Sequence, residues 1–382
     1  MKMLKYTDKI LLLLSVILFS IGLVMIFSSS SISAFMRYNS NSYNFLLRQG
    51  IILFLGIVMF VFLINFSTKT YSGFSWLALL IFIGFLIFVD FFGVITNDAK
   101  SWIYIGPFAF QPSEFIKVIM IVWYAAFFEL NRNKLNRLFT NFFPLGISAF
   151  IAALIILQPD FGTAGIIMIL SFMLYYIMPV KKIVKFKVIS ISLMVILFVF
   201  MGYYIFNTSS FKRQIDRFDF SKPCSEEKFE GIGNQVCNSY IAFNNGGVWG
   251  KGLGNSTQKY LYLPESHTDF IFAIVVEELG FVLSTIIVLL MFILLWRILY
   301  IGKNSVSSRG SIICYGIAIY IFLHITINLF GIMGLLPLTG VPLPFLSYGG
   351  SFTLSLILGL SMVQRVAIET RLKNIEKKYK SV

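Results

Sequence analysis

Long apolar segments, separated by short polar connections, make up most of the chain. Windows such as 10–28, 49–68 and 188–206 contain 19 or 20 residues without a charged side chain. A helix of that length crosses a hydrocarbon core of about 30 Å. The pattern predicts an all-α polytopic membrane protein with ten transmembrane helices, at residues 10–29, 49–68, 72–95, 112–130, 142–158, 163–178, 188–206, 270–296, 310–333 and 352–367.

Two stretches interrupt this pattern. Residues 207–269 form a long loop of mixed polarity, in which "YIAFNNGGVWGKGLGN" places apolar and aromatic residues between glycines. Long loops in compact folds are usually functional or disordered, and this composition favours a loop that packs on the bundle and handles substrate. Residues 331–351 hold three prolines and five glycines in apolar sequence. They form either a re-entrant element that faces a cleft or an apolar loop that lies on the bundle.

The distribution of basic residues predicts the orientation. With a cytoplasmic N-terminus, the inner segments carry 20 of the 31 Lys and Arg residues, in line with the positive-inside rule. Both termini are then cytoplasmic, 207–269 is an extracellular loop between helices 7 and 8, and 368–382 is a basic cytoplasmic tail. The net charge of +14 comes with no nucleic-acid-binding motif. We therefore attribute it to topology and to attraction for anionic lipids.

Ionisable side chains inside apolar segments are costly, so they are usually paired or functional. Glu114 and Lys117 in "QPSEFIKV" are three residues apart at the start of a predicted helix, so they share a face and can form an ion pair. Alternatively, the Lys117 cation is directed at an anionic substrate. Asp160 in "LQPDFGTAG" lies in a tight turn, where it either caps the following helix or binds a metal or substrate.

The stretch "LPESHTDFIFAIVVEELGF" contains His267, Asp269, Glu277 and Glu278. Asp269 precedes an apolar run, so we expect it at the outer water interface and at a helix start, where it caps the helix or reaches a cleft. Glu277 and Glu278 are predicted to lie about 12 Å deeper. There they need partners, such as Lys117 or backbone donors of the proline-rich stretch, and we expect them to support a cavity.

Two polar side chains in a predicted helix and three cysteines remain as candidates for structural or functional roles. His324 and Asn328 are one helical turn apart and are expected to hydrogen-bond to a neighbouring helix. Cys224 and Cys237 share the long loop, where they are either free or joined by a disulfide, and Cys314 is expected to be an inert thiol. The sequence shows no Cys/His metal spacing, nucleotide-binding loop or Gly-x-Ser-x-Gly motif.

Four motifs, in order along nearly the whole chain, resemble the SEDS proteins, the FtsW/RodA/SpoVE group of bacterial cell-wall polymerases. They are "WIYIGPFAFQPSEFIKV", "QPDFGTA", "GKGLGNSTQKYLYLPESHTDFIFAIVVEELG" and "LLPLTGVPLPFLSYGGS". The third motif looks closer to FtsW, the division member, than to RodA. One departure is Ser101, where many relatives have arginine, and Lys100 is the nearest substitute.

The resemblance implies a single membrane domain over 1–382 that polymerises lipid II into β-1,4 glycan strands. It implies location in the bacterial plasma membrane at the division septum, with a class B penicillin-binding protein and other divisome membrane proteins as partners. It places the family's essential acid on Asp269. We expect Asp269 to be the general base for the acceptor's 4-hydroxyl, with inversion at the donor's anomeric carbon.

The departing lipid diphosphate needs positive charge. Side chains that can supply it are Lys117, Lys259, Lys212 and Arg213, and the alternative is a divalent cation, Mg or Mn, held by carboxylates. No other cofactor is expected, and no metal ligands are assigned. Further expected substrate contacts are Glu114, Asp160, His267 and Ser347, and Pro344 is expected to support the cavity.

Three alternative functions follow from the same residues. A RodA-type polymerase for elongation would use the same chemistry. A transporter that flips lipid II would use Glu114, Lys117, Glu277 and Glu278 to line a path for the headgroup. A divisome scaffold without activity would tolerate the loss of Asp269.

Overall fold

A computed structural model describes residues 2–38, 40–96, 99–106, 108–206, 223–225 and 232–380. Within these ranges the chain forms eleven α-helices and three short strands. The helices are α1 (Lys9–Tyr38), α2 (Asn44–Leu63), α3 (Thr68–Phe92), α4 (Pro112–Leu130), α5 (Leu138–Leu157), α6 (Phe161–Ile177), α7 (Lys182–Phe206), α8 (Ile232–Gly246), α9 (Ile271–Lys303), α10 (Ser308–Ile332) and α11 (Gly350–Lys380). The strands are β1 (Val94–Thr96), β2 (Ala99–Ile105) and β3 (Phe108–Phe110). In the described part, seven helices are long and apolar enough to cross a membrane.

Each of the ten predicted segments lies mainly on one helix, and the two largest extensions beyond the predicted ends are in α1 and α11. α1 continues to Tyr38 instead of ending near residue 29, and α11 continues to Lys380 through most of the predicted basic tail. Good helix formers occupy that tail, and the Arg365 guanidinium donates to the Glu369 carboxylate one turn later at 3.1 Å. Such spacing stabilises a helix that has left the apolar part of the sequence.

The prediction of an all-α fold is wrong between α3 and α4. There the three strands form an antiparallel sheet in the order β1-β2-β3, with Tyr104 paired to Ala109. The sequence "AKSWIYIGPFAF" combines β-branched and aromatic residues with a Gly-Pro turn, which favours a hairpin. Its apolar character made it resemble an ordinary connection between two membrane helices.

The long loop contains a helix that the sequence did not predict. α8 packs against α9, which confirms for the described part that this loop lies on the bundle. Cys237 of α8 forms a disulfide with Cys224, with Cα atoms 5.1 Å apart. Lys212 and Arg213 lie outside the described residues.

The centre of the bundle consists of α4, α10 and α11, whose side chains are mostly buried. α2 and α3 instead expose large apolar side chains such as Phe54, Leu77 and Phe91. Exposed apolar faces on long helices are the surfaces expected to meet lipid. The buried polar side chains of the central helices are set apart from this lipid-facing surface.

Segments predicted to be cytoplasmic meet at one end of the bundle, which we name the Asp8 end. The Asp8 carboxylate accepts from the Leu11 N–H at 3.0 Å, which caps α1. It also forms an ion pair with Arg297 of α9 at 2.6 Å. Glu369 of α11 accepts from the Thr68 N–H at 2.7 Å. Ends of α1, α3, α9 and α11 are thus joined on one side, and the opposite end is named the Asp269 end.

α9 is interrupted at Gly280, whose φ of 77° and ψ of 175° are not helical. The long loop enters the break, because the Lys251 and Gly252 N–H groups donate to the carbonyls of Glu277 and Glu278 at 3.0 and 2.9 Å. A β-carbon on Gly280 would collide with the Gly250 backbone. The part of α9 after the break is about 35 Å long and is sufficient to cross a membrane. The two glutamates precede that crossing segment.

The stretch 331–351 runs into the bundle. The Phe345 carbonyl lies against Gly22, where any β-carbon would overlap it, and Gly22 is about 20 Å along α1 from its start at Lys9. The Phe19 and Phe345 rings are 5.0 Å apart. This depth favours the re-entrant interpretation over an external loop. Pro344 is buried within the same stretch.

Candidate active site

The backbone that carries Asp269 is held by hydrogen bonds from its neighbours. Three successive carbonyls, at 267, 268 and 269, each accept one bond from the proline-rich stretch or from α10. The bonds are Tyr348 N–H to His267 O at 3.0 Å, Ser347 Oγ to Thr268 O at 2.7 Å, and Asn328 Nδ2 to Asp269 O at 2.7 Å. Asn328 also donates to the Val341 carbonyl at 2.8 Å, so one amide joins both segments.

The Asp269 carboxyl lies just before α9 and keeps partial solvent exposure. Gly340 is beside it, since a β-carbon there would lie 3.4 Å from Asp269 Oδ2. No described residue donates a hydrogen bond to this carboxyl. Desolvation by the surrounding protein disfavours the charged form, and the negative charge of Glu265 adds to this effect. Together they raise the pKa of Asp269 to about 7. A carboxyl with such a pKa exchanges a proton readily near neutral pH.

Glu114, Lys117 and His324 form a buried chain between α4 and α10. The Lys117 ammonium donates to Glu114 Oε1 at 2.8 Å and lies 3.0 Å from His324 Nε2. The other ring nitrogen, Nδ1, is 3.3 Å from the Pro342 carbonyl. Because a carbonyl only accepts, we assign the proton to Nδ1 and the acceptor role to Nε2. The predicted ion pair is present, and Lys117 is fully buried rather than directed at a substrate.

Asp160 caps α6, because its Oδ1 accepts from the Thr163 N–H at 3.0 Å. The next turn packs on the proline-rich stretch, where a β-carbon on Gly162 would lie 2.8 Å from Thr339. Thr339 precedes Gly340, the neighbour of the Asp269 carboxyl. The start of α6 and the Asp269 carboxyl therefore lie next to adjacent residues of the proline-rich stretch.

The predicted partners of Glu277 and Glu278 are wrong. Neither carboxylate hydrogen-bonds to Lys117 or to the proline-rich stretch. Most of their partners come instead from the long loop, which enters the break in α9. Glu277 accepts from Thr257 Oγ1 at 2.7 Å and pairs with Lys251 at 3.2 Å. Two further donors to Glu277 are the Gln258 N–H at 3.1 Å and the Asn245 amide at 3.0 Å.

Glu278 and Lys259 form a second buried pair at the same break. The Lys259 ammonium lies 2.9 Å from Glu278 Oε1 and also donates to the Gly254 carbonyl at 2.6 Å. Ser28 of α1 donates to the Glu278 carboxylate at 2.6 Å. Lys259 is only 3% exposed, so its charge is neutralised inside the protein. It does not face a departing diphosphate, as the sequence had suggested.

A cleft of about 500 Å³ opens beside this segment at the Asp269 end. Its walls come from the start of α2, the β2 strand, residues 267–268 and residues 348–350. His267 lies in this wall, with its ring 4.7 Å from that of Phe45. Arg48 of α2, one turn after Phe45, also lines the cleft. Arg48 was not selected from the sequence, because it lies directly before the predicted segment 49–68 and resembles an ordinary flanking charge.

Three further predictions concern Ser347, Lys100 and a divalent cation. Ser347 is 2% exposed, and its hydroxyl donates to Thr268 O and accepts from the Leu343 N–H, so it fixes backbone rather than presenting itself to substrate. Lys100, the nearest substitute for the relatives' arginine at position 101, donates to the Asp90 and Phe91 carbonyls at the end of α3. Among the residues that the structure describes, no three of His, Cys, Asp and Glu are grouped for one ion. We assign no residues to a divalent cation.

The fold and this site define a multi-pass helical membrane protein with a titratable carboxyl beside a cleft at one end of the bundle. The model of the FtsW/RodA/SpoVE family, described as a cell cycle protein, matches residues 8–372. The chain belongs to this family.

Relatives agree with that assignment, and two solved structures have the same fold. The chain is 34% identical to "Probable peptidoglycan glycosyltransferase FtsW" of Bacillus subtilis over 99% of its length and 94% of the relative's. It is 34% identical to stage V sporulation protein E of the same organism, covering 95% and 98%. A protein in a peptidoglycan synthase complex that coordinates polymerization and crosslinking has the same fold, with a TM-score of 0.74 at 21% identity and coverage of 95% and 98%. Thermus thermophilus RodA gives 0.66 at 20% identity, covering 95% and 97%.

Proposed function

We propose that this chain is a peptidoglycan glycosyltransferase that polymerises lipid II, with Asp269 as the general base. The observation that carries the proposal is the Asp269 carboxyl, which is partly exposed, receives no hydrogen bond from the described residues and has a pKa of about 7. Membership of the family and the names of the relatives support the substrate class.

The chemistry requires only one carboxylate. As the 4-hydroxyl oxygen of the acceptor attacks the donor's anomeric carbon, Asp269 removes the hydroxyl proton. The bond from that carbon to the lipid diphosphate breaks, and the diphosphate leaves with the electron pair. Because a diphosphate is a weak base, it leaves without protonation, unlike the leaving groups that most glycosidases protonate. An α-linked donor that gives a β-1,4 product is inverted, which fits a direct displacement.

The same proposal includes the orientation of the chain in the membrane, its location in the cell and its partner. The Asp269 end faces the outside of the cell, both termini are cytoplasmic, and ten helices cross the membrane. The distribution of Lys and Arg supports this, as do the contacts that join predicted cytoplasmic segments at the Asp8 end. FtsW relatives favour a role in division at the septum, and the related synthase complex supports a class B penicillin-binding protein as partner.

The test is reconstitution of the purified chain with lipid II, alone and with a class B penicillin-binding protein. Glycan strands that a muramidase digests are expected from the wild type. Movement of labelled lipid II between leaflets without any polymer would overturn the proposal in favour of a flippase. Absence of both activities in the presence of the partner would point to a scaffold.

A further inference from the structure

The proline-rich stretch reaches the Asp269 carboxyl at Gly340. A β-carbon on Gly340 would lie 3.4 Å from Asp269 Oδ2, and the φ of 66° at Gly340 is a backbone conformation that favours glycine. Two residues later, Pro342 has no N–H group, so its carbonyl is its one backbone group able to form a hydrogen bond. Side chains that bind the carbonyls next to Gly340 therefore help to hold this residue against the carboxyl.

Two side chains of α10 bind these carbonyls. Asn328 donates to the Val341 carbonyl at 2.8 Å, and His324 Nδ1 lies 3.3 Å from the Pro342 carbonyl. His324 and Asn328 are four residues apart, so they lie on the same face of the helix. Adjacent carbonyls of the proline-rich stretch are thus attached to adjacent turns of one helix.

Aromatic packing fixes the plane of the His324 ring. The ring stacks on Phe352 of α11, with centroids 4.7 Å apart and an interplanar angle of 23°. The Tyr320 ring contacts it edge-on, with centroids 4.8 Å apart. His324 is fully buried. A buried ring that is held on two sides keeps its nitrogens in one direction, which suits a group that must hold a backbone segment in place.

Lys117 holds the same ring from its other nitrogen. An ammonium group only donates, so His324 Nε2, which lies 3.0 Å from Lys117 Nζ, accepts. The proton of the neutral ring is then on Nδ1, the nitrogen that faces the Pro342 carbonyl. Glu114 supplies the counter-charge to Lys117 at 2.8 Å. The His324 ring therefore links the buried ion pair of α4 to the proline-rich stretch.

We propose that His324 is a positioning residue for the reaction, because it holds the proline-rich stretch so that Gly340 stays against the Asp269 carboxyl. This inference rests on the proposed function. It also gives the buried Lys117 ammonium a role that requires no contact with substrate, since Lys117 orients the ring that makes the attachment.

Amide hydrogen exchange on the full chain in nanodiscs tests the attachment without turnover. The probe is the N–H of Leu343, which belongs to the same peptide unit as the Pro342 carbonyl and donates to Ser347 Oγ at 2.8 Å. His324→Phe keeps an aromatic ring but has no donor, so this N–H should exchange about fivefold faster than in the wild type. His324→Gln should restore slow exchange, because its amide provides both a donor and an acceptor. His324→Leu gives the same comparison with a smaller side chain if the phenyl ring disturbs folding.

Tyr320→Phe is the matched control. It keeps its ring but removes a buried hydrogen bond to Ser355 Oγ at 3.1 Å, one turn before His324 on the same helix, and it should leave the exchange of Leu343 unchanged. Wild-type exchange in His324→Phe would overturn the inference, whatever the activity. Equal acceleration in His324→Phe and Tyr320→Phe would also overturn it, because any buried deletion in α10 would then loosen the stretch.

Polymerisation rates test the consequence for the base. His324→Phe should lower the maximal rate about tenfold and leave the lipid II concentration at half-maximal rate unchanged, since the attachment orients groups around the base and does not bind substrate. His324→Gln should recover most of the rate. A raised half-maximal concentration with an unchanged maximal rate would overturn the positioning role in favour of substrate binding. A glutamine variant as slow as His324→Phe would overturn it as well.

The inference and the proposed function fail separately. Faster exchange in His324→Phe, with a wild-type chain that makes no glycan strands, would refute the polymerase and leave the attachment in place. Glycan synthesis at the wild-type rate in His324→Phe would refute the positioning role and leave the polymerase. Thermal midpoints near the wild-type value in all three variants establish that the losses are local.

Discussion

Asp269 and the pair Glu277 and Glu278 are carboxylates eight to nine residues apart in one apolar stretch, yet their surroundings are opposite. Glu277 and Glu278 are 0% and 1% exposed, and lysines, hydroxyl groups and backbone donors surround them. Asp269 is partly exposed and receives no such donor from the described residues. A carboxylate with satisfied oxygens stabilises the fold, whereas one that lacks partners remains available to take a proton.

The largest expected effect comes from Asp269→Asn. An amide keeps the shape of the side chain but cannot act as a base, so the polymerisation rate should fall about 100- to 10,000-fold. The thermal midpoint should stay near the wild-type value, since no described hydrogen bond to the carboxyl is lost. Initial rates with lipid II and a melting curve measure both quantities. Full activity in this variant would remove the distinction between the two kinds of carboxylate.

A second effect should appear in stability. Glu278→Gln leaves the Lys259 ammonium buried without its counter-charge, which costs about 3–5 kcal/mol. The double variant Lys259→Met with Glu278→Gln removes both charges and should recover most of that loss. Unfolding of the purified single and double variants measures the difference. If the single variant is as stable as the wild type, the pair does not hold the loop in the break of α9.

Asn328 joins the Asp269 backbone to the proline-rich stretch, so it positions Asp269 without contacting the carboxyl. Asn328→Ala removes the donors to the Asp269 and Val341 carbonyls and leaves buried acceptors unsatisfied, at about 1–3 kcal/mol. We expect a rate about tenfold lower with an unchanged pH profile. Asn304→Ala, at an exposed helix end, is the matched control. A shifted pH profile would instead give Asn328 a direct influence on the base.

Long apolar runs were sufficient to predict every helix except α8, because a helix that crosses lipid needs such a run whatever surrounds it. The pairing of Glu114 with Lys117 was also predictable, since both partners lie one turn apart on the same helix. The partners of Glu277 and Glu278 were not, because they come from a loop that enters the break at Gly280. The break itself depends on close backbone contact with Gly250, which no local pattern reveals.

The candidate site also has one part that the sequence predicts and another that it does not. The position of Asp269 just before α9 was predictable from the apolar run that follows it, and its proposed role as the base comes from the family motif. The connection from Asn328 to Asp269 spans 59 residues of sequence, and the cleft combines α2 with β2 and two distant loops. Such a site depends on tertiary packing, and the β2 strand that carries Trp102 and Tyr104 was itself predicted as an ordinary connection.

The smallest predicted effect tests the charge around Asp269. Its base form is the carboxylate, so the rate should fall as the pH drops below about 7, where the carboxyl becomes protonated. Glu265 is a secondary cause of the raised pKa, and its removal in Glu265→Gln should lower the pKa of Asp269. The midpoint of the pH–rate profile should then move to lower pH, and the rate at pH 6 should rise roughly twofold. Glu129→Gln at the Asp8 end, where Glu129 pairs with Arg309, is the control and should leave the midpoint in place. A midpoint that moves upward, or equally in both variants, would show that another group titrates in the rate-determining step.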